Sequence, residues 1–128
     1  MLKYSQLEKG FTLVEIIAVM VILSVIAAVA IPRYMSLDES ARQRAIDAGI
    51  AELNGRETLT WSNLKITLTG YTDDAALFLL LDTTLGNDYS WEGGPPDETG
   101  GRLKFRESIE VTLSRKESND IEPGHWSR

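Results

Sequence analysis

Glu15 lies in a stretch from Phe11 to Ile31 where only Thr12, Glu15 and Ser24 interrupt apolar side chains. A carboxylate inside a membrane-spanning helix costs about 2.5–3.5 kcal/mol on insertion scales, so a task is expected of it. Were the chain cut between Gly10 and Phe11, Phe11 would carry a free α-amino group, with an ordinary pKa of about 7.7–8.0. Glu15, four residues on, could answer its own amine, with the unpaired N–H groups of the first turn nearby. In a stack of parallel helices it could instead meet the amine of a neighbour. Opposite charges in apolar surroundings recover much of what each loses on desolvation, and either alone is expensive. The chemistry on offer is therefore proteolysis followed by charge pairing. Composition alone does not show the cut.

Other reactive constellations are thin. Cysteine is absent and His125 is the single histidine, which excludes a disulfide framework, a thiol nucleophile and a multi-histidine metal site. Asp82, Asp88, Asp97 and Asp120 are hard oxygen ligands in type, but acids in surface loops are ordinarily solvated, so no metal and no cofactor is expected. Asp73-Asp74 reads as a helix-start pair rather than a general acid and base. Gly93-Gly94 and Gly100-Gly101 bracket prolines and acids, which would repel phosphate. No catalytic residue emerges, and the chain does not read as an enzyme. With 13 Lys and Arg against 19 Asp and Glu, the formal charge is −6, which argues against a nucleic-acid partner.

The elements that hold Glu15 follow from length and hydropathy. A chain of 128 residues is room for one domain. As a helix, residues 11–31 run about 31 Å, close to the roughly 30 Å hydrocarbon thickness of a bilayer. A helix apolar on every side needs lipid or other subunits around it, because residues 32–128 are too polar and too few to wrap it. Lys3 and Lys9 against Glu8 precede the run, while Arg33, Asp38 and Glu39 follow it. The positive-inside rule then places residues 1–10 in the cytoplasm and the bulk of the chain outside. A secretory signal cut after Ala28-Val29-Ala30 and a plain signal anchor are two readings of this N-terminus. Neither gives Glu15 a task; a cut after Gly10 does.

Gly10-Phe11-Thr12-Leu13-Val14-Glu15, after a short charged leader with Lys9 and before an apolar helix reaching Pro32, resembles the class III signal of type IV pilins and the related pseudopilins. The resemblance implies removal of the leader after Gly10 by a membrane prepilin peptidase, which also N-methylates Phe11. It makes Glu15 the acid of the mature fifth position, used with Phe11 in assembly. Pro32 matches the proline of the family's long helix and reads either as a helix stop or as a kink with a loosened, meltable turn over Ala27 to Ala30.

The implied fold is α+β and pilin-like, a long, partly transmembrane N-terminal helix packed against a small antiparallel sheet. Residues 1–10 are the leader, 11–32 the hydrophobic helix, 33–55 its amphipathic continuation, and 56–128 the head, with a flexible loop at 93–101 and a tail at 116–128. The implied function is a structural subunit of a type IV pilus filament, or alternatively a pseudopilin of type II secretion. Implied partners are copies of itself and other pilins, the peptidase, an inner-membrane assembly platform, and the bilayer before assembly. The precursor would sit in the inner membrane, and the assembled chain in an extracellular pilus or a periplasmic pseudopilus. Leu85-Gly86-Asn87-Asp88-Tyr89-Ser90-Trp91 resembles a segment of the major pseudopilin head, which also lacks cysteine.

Past the membrane, Tyr34, Leu37, Ala41, Ala45 and Ala48 form one helical stripe, and Ile46, Ile50 and Leu53 a bulkier one. Gly49 between them either costs up to about 1 kcal/mol or marks close packing. Asn54-Gly55 predicts the helix stop. Threonines at 58, 60, 67 and 69 lean residues 56–70 toward extended structure with Trp61 as anchor, a short helix from Trp61 to Leu64 being the alternative. Thr72 as N-cap predicts a second helix over Ala75 to Leu81. Leu103, Phe105, Ile109, Val111 and Leu113 share one parity, which predicts strands over 102–106 and 109–114 that turn near Glu107-Ser108 with the odd face inward. Trp126 is expected to dock an otherwise loose tail.

Overall fold

The computed structural model describes residues 10–128; positions 1–9 of the expected leader 1–10, with Lys3, Glu8 and Lys9, lie outside the described residues. The chain divides into two compact units, Met1–Asp38 and Glu39–Arg128. In the first, the described residues are the non-helical 10–12 and the opening of helix α1, which spans Leu13–Ile66 and carries Pro32 in its interior. Pro32 is therefore not a helix stop. A proline can sit inside a helix when the remaining ladder on both sides holds.

In the second unit α1 continues past Asn54-Gly55, correcting the expected stop and the extended reading of residues 56–70. The reason is tertiary. The Asn54 carboxamide, which could have capped a helix end, instead donates to Trp126 O at 3.0 Å and accepts from Trp126 N at 2.7 Å. Arg56 donates to the carbonyls of Asp82 and Thr84, and the Glu57 side chain is fully buried. Three anchors within four residues outweigh the unfavourable propensity of the one glycine among them. Trp61 is an anchor from within this helix, its indole donating to Asn119 O at 2.8 Å. The chain leaves helical geometry at Thr67, whose amide turns to Leu64 O, and Gly70 follows with φ +69.

Helix α2 spans Asp74–Leu80 and is capped by Asp73, which accepts from Ala76 N at 2.8 Å, one residue later than the expected Thr72. Its leucines split by face. Leu77 and the C-cap Leu81 are buried, while Leu79 and Leu80 are exposed.

Strands β1 (Tyr89–Asp97), β2 (Gly100–Phe105), β3 (Ile109–Lys116) and β4 (His125–Ser127) form one sheet in the order β1-β2-β3-β4, all antiparallel. The β2–β3 turn places Arg106 and Glu107 at positive φ, with Ser108 N donating to Phe105 O at 3.1 Å; that geometry matches the twist of a hairpin. Two expectations change. Of the loop expected at 93–101, residues 93–97 belong to β1, where a register irregularity between Glu92 and Asp97 absorbs them, and Gly100 and Gly101 open β2. An edge strand tolerates proline because its outward N–H has no ladder partner to lose. The tail, read as loose, ends in β4, with Trp126 fully buried as expected of a docked anchor.

The odd face points inward. Leu103 and Leu113 are buried with Ile46, Leu53, Leu81, Leu85 and Trp126, and Phe105, Ile109 and Val111 pack against them half-buried. Gly49 marks close packing: a Cβ there would meet Tyr89, Leu103 and Leu85 side chains at 3.0–3.3 Å.

Candidate functional site: the start of the long helix

Because α1 begins at Leu13, Thr12 is its N-terminal flank and Glu15 its third residue. Threonine and glutamate at this spacing form a capping box. Thr12 N donates to Glu15 Oε2 at 2.7 Å, and Glu15 N donates to Thr12 Oγ1 at 3.2 Å. Ile16 N bonds to Thr12 O at 3.2 Å, closing the first turn. Gly10 and Phe11 precede the box and are exposed, Phe11 by 84%, and no atom lies within 4 Å of where a Gly10 Cβ would stand. The Gly10–Phe11 bond is thus open to approach within the described residues.

From Phe11 through Leu37 the large apolar side chains of this segment are exposed. By length and composition the helix is long and apolar enough to cross a membrane. Ser24, a polar interruption, donates to Met20 O at 2.7 Å and so satisfies its hydroxyl within the helix,.

The acids considered as metal ligands are not brought together. Asp82 accepts from Thr84 N, Asp88 from the Arg106 guanidinium, Asp97 from Thr99 and Gly100, and Asp120 pairs with Lys65. Asp97 is held below the usual carboxylate range by the Thr99 hydroxyl and amide, and Asp88 by the Arg106 fork. Among the described residues, no group of three or more His, Cys, Asp or Glu is placed to hold a metal ion. His125 lies in β4, and Asp73 and Asp74 open α2.

One polar cluster escaped the sequence reading. Arg115 spends all five of its N–H donors on Glu57, Asp74 and the Glu98 carbonyl. Trp126 Nε1 also donates to Glu57, and Ser118 to Asp74. Burial would raise the Asp74 pKa, but the Arg115 fork and the Ser118 donors outweigh it and bring it to about 2. A signal was available. Ile46, Gly49, Leu53 and Glu57 are the buried residues of α1 and lie at helical spacing, so the buried face runs on past Gly55 onto an acid.

Residues 6–31 match the family model of the prokaryotic N-terminal methylation motif. The N-terminal segment is therefore similar to that of type IV pilins. A stretch of 43 residues is 44% identical to the type IV narrow pilus major component PilA5 of Thermus thermophilus, covering 34% of this chain and 37% of that protein. The match thus spans just over a third of the relative's length. No solved structure matches the chain. The pilin family is one of structural subunits rather than a known enzyme class, and the α+β architecture, a long apolar helix with a four-stranded antiparallel sheet, is consistent with it.

Proposed function

We propose that this protein is a structural subunit of a type IV pilus. It is made as a membrane-anchored precursor, cut after Gly10 by a prepilin peptidase and N-methylated at Phe11. The observation that carries the reading is the coincidence of the methylation motif over residues 6–31 with an exposed apolar helix bearing an acid at its third residue. Before assembly the bilayer covers residues 11–32, with the leader in the cytoplasm and the head outside. In the filament, copies of this chain and other pilins take the place of lipid. There the Glu15 carboxylate meets the Phe11 amine of a neighbour, and an inner-membrane platform drives the transfer. Pro32 cannot donate to Ala28 O, so the turn before it is the one that loosens as subunits pack.

A pseudopilin of type II secretion is the second reading. It is favoured by the cysteine-free chain and by the segment Leu85 to Trp91, which carries Tyr89 onto Ala45 O at 2.8 Å and Trp91 onto Thr83 O at 2.9 Å. The experiment that tests the common core is Glu15→Val in the source cell. Membrane insertion is retained, because an acid has left an apolar helix, and the mutant is depleted from sheared filaments. Normal incorporation of the mutant contradicts the pairing. Recovery of the wild-type chain from long surface filaments favours the pilus; retention in the cell envelope favours the pseudopilus.

A further inference from the structure

In the second unit, Leu59, Ile66 and Leu68 stand exposed at and just past the end of α1, as do Leu79 and Leu80 in α2. A groove of about 270 Å³ joins the two sets, lined by Thr60, Asn63, Leu64, Thr67 and Leu80. The remaining large apolar side chain so exposed in this unit is Ile121, at 87%. It sits on a fixed turn. Asn119 Oδ1 accepts from Ile121 N at 2.7 Å and from Glu122 N at 3.0 Å, and Asn119 N donates to Glu122 O at 2.9 Å. Trp61 Nε1 donates to Asn119 O at 2.8 Å, and Lys65 pairs with Asp120. The turn is thereby tied to α1 with Ile121 at its tip, so little conformational freedom is left to lose on binding. We propose that the Ile121 turn of one copy seats in the Leu80 groove of the next, a contact between heads that is separate from the apolar helix.

Three observations select a second copy as the occupant. Leu59 and Asn63 stand two residues either side of Trp61, about 200° round the helix, so the knob and the groove face opposite ways at one level of α1. A surface with two different patches so placed joins copies head to tail, and such contacts propagate as rings or open filaments. Charge agrees. The chain carries −6 overall, which sets copies against one another. The groove, however, is lined by uncharged residues, and the acids flanking Ile121 are each paired, Asp120 with Lys65 and Glu122 with Lys116. Size agrees as well. The groove is smaller than the roughly 300–1,000 Å³ of small-molecule pockets, which suits one branched side chain carried on a turn. That the contact is used in a filament rests on the reading above; the contact itself does not.

The chain has no cysteine, so cross-linking reads the contact directly. The full chain carrying both Ile121→Cys and Leu80→Cys is oxidised with copper phenanthroline, in the membranes of its own cell and in sheared filaments. A ladder of dimers, trimers and higher species is expected, because each copy offers its two cysteines to different neighbours and the two face apart within one chain. The ladder is expected to be lost when Ile121→Cys is combined instead with Ser90→Cys, an exposed position elsewhere on the head. Leu80→Cys alone is expected to give no dimer. Dimers from Leu80→Cys alone, at the yield of the double variant, mean that groove meets groove and overturn the proposal. A double variant that melts like the wild type yet gives no ladder in either preparation overturns it too, as does a cross-link to a different protein only. Should the double variant melt low, Thr67→Cys replaces Leu80→Cys under the same criteria. If the chain enters no filament, the filament reading falls, and the membrane preparation still decides the contact.

Discussion

Arg115 and Glu57 stand 58 residues apart in the chain, yet Arg115 Nη2 lies 2.5 Å from Glu57 Oε1, and both side chains are wholly buried. The same guanidinium forks onto Asp74 and lies over the rings of Phe78 and Trp126. One side chain of β3 thereby ties together α1, α2 and β4. In a head with no disulfide, this cluster takes the position of an internal staple. Gly124 packs against it, because a Cβ there would overlap the Glu57 carboxylate.

Removing one member of the cluster strands the others. Arg115→Met leaves the buried Glu57 and the partly buried Asp74 without a cation, and breaking a buried pair such as Arg115–Glu57 costs about 3–5 kcal/mol. Urea unfolding of the detergent-solubilised chain measures it, and a loss below about 1 kcal/mol contradicts the assignment.

Acid sensitivity follows from Asp74. Its pKa in the folded chain is about 2, below the ordinary value of about 3.9. The stability it contributes is present above about pH 4 and is lost as pH falls through about 2. Asp74→Asn is expected to be less stable at pH 7 and to show a flatter acid limb between those limits. Unfolding midpoints across pH 7 to 2 check both.

Two glycines of α1 should answer alanine with opposite signs. Gly55 has no atom within 4 Å of a built Cβ, so Gly55→Ala stabilises by up to about 1 kcal/mol through helix propensity. Gly49 faces Tyr89, Leu103 and Leu85 at 3.0–3.3 Å. There the same gain is offset by overpacking, which costs about 1–3 kcal/mol, so Gly49→Ala is destabilising. Thermal melts of the pair decide it.

The sheet's facing is tested by adjacent positions. Leu103 is fully buried, so Leu103→Ala costs about 2–5 kcal/mol. Lys104 pairs with Glu107 at 2.6 Å on the outward side, and Lys104→Ala costs about 0–1 kcal/mol. The reverse order in urea unfolding would place the odd residues outside.

The strands were legible because their alternation from Leu103 to Leu113 reports burial directly, and a period of two admits one inward face. The capping box is present in the letters as Thr12 and Glu15, but an acid in an apolar run has two uses, as a charge and as a cap, and spacing alone does not choose between them. Asn54-Gly55 misled for a physical reason: the local signal is a genuine stop, and it is overridden by Trp126, 72 residues away. Arg115, Glu57 and Asp74 lie far apart in sequence, and nothing local marks them as partners. The prolines of β1 read as loop because tolerance of proline depends on the strand being an edge, which only the finished sheet order reveals.

The account turns on the bond between Gly10 and Phe11. Mass spectrometry of the N-terminal peptide, from the chain as recovered from sheared filaments or the membrane of its own cell, tests it most directly. The account predicts a terminus at Phe11 bearing a methyl group on its nitrogen. A chain beginning at Ile31, or one still carrying residues 1–10 in assembled filaments, would contradict it.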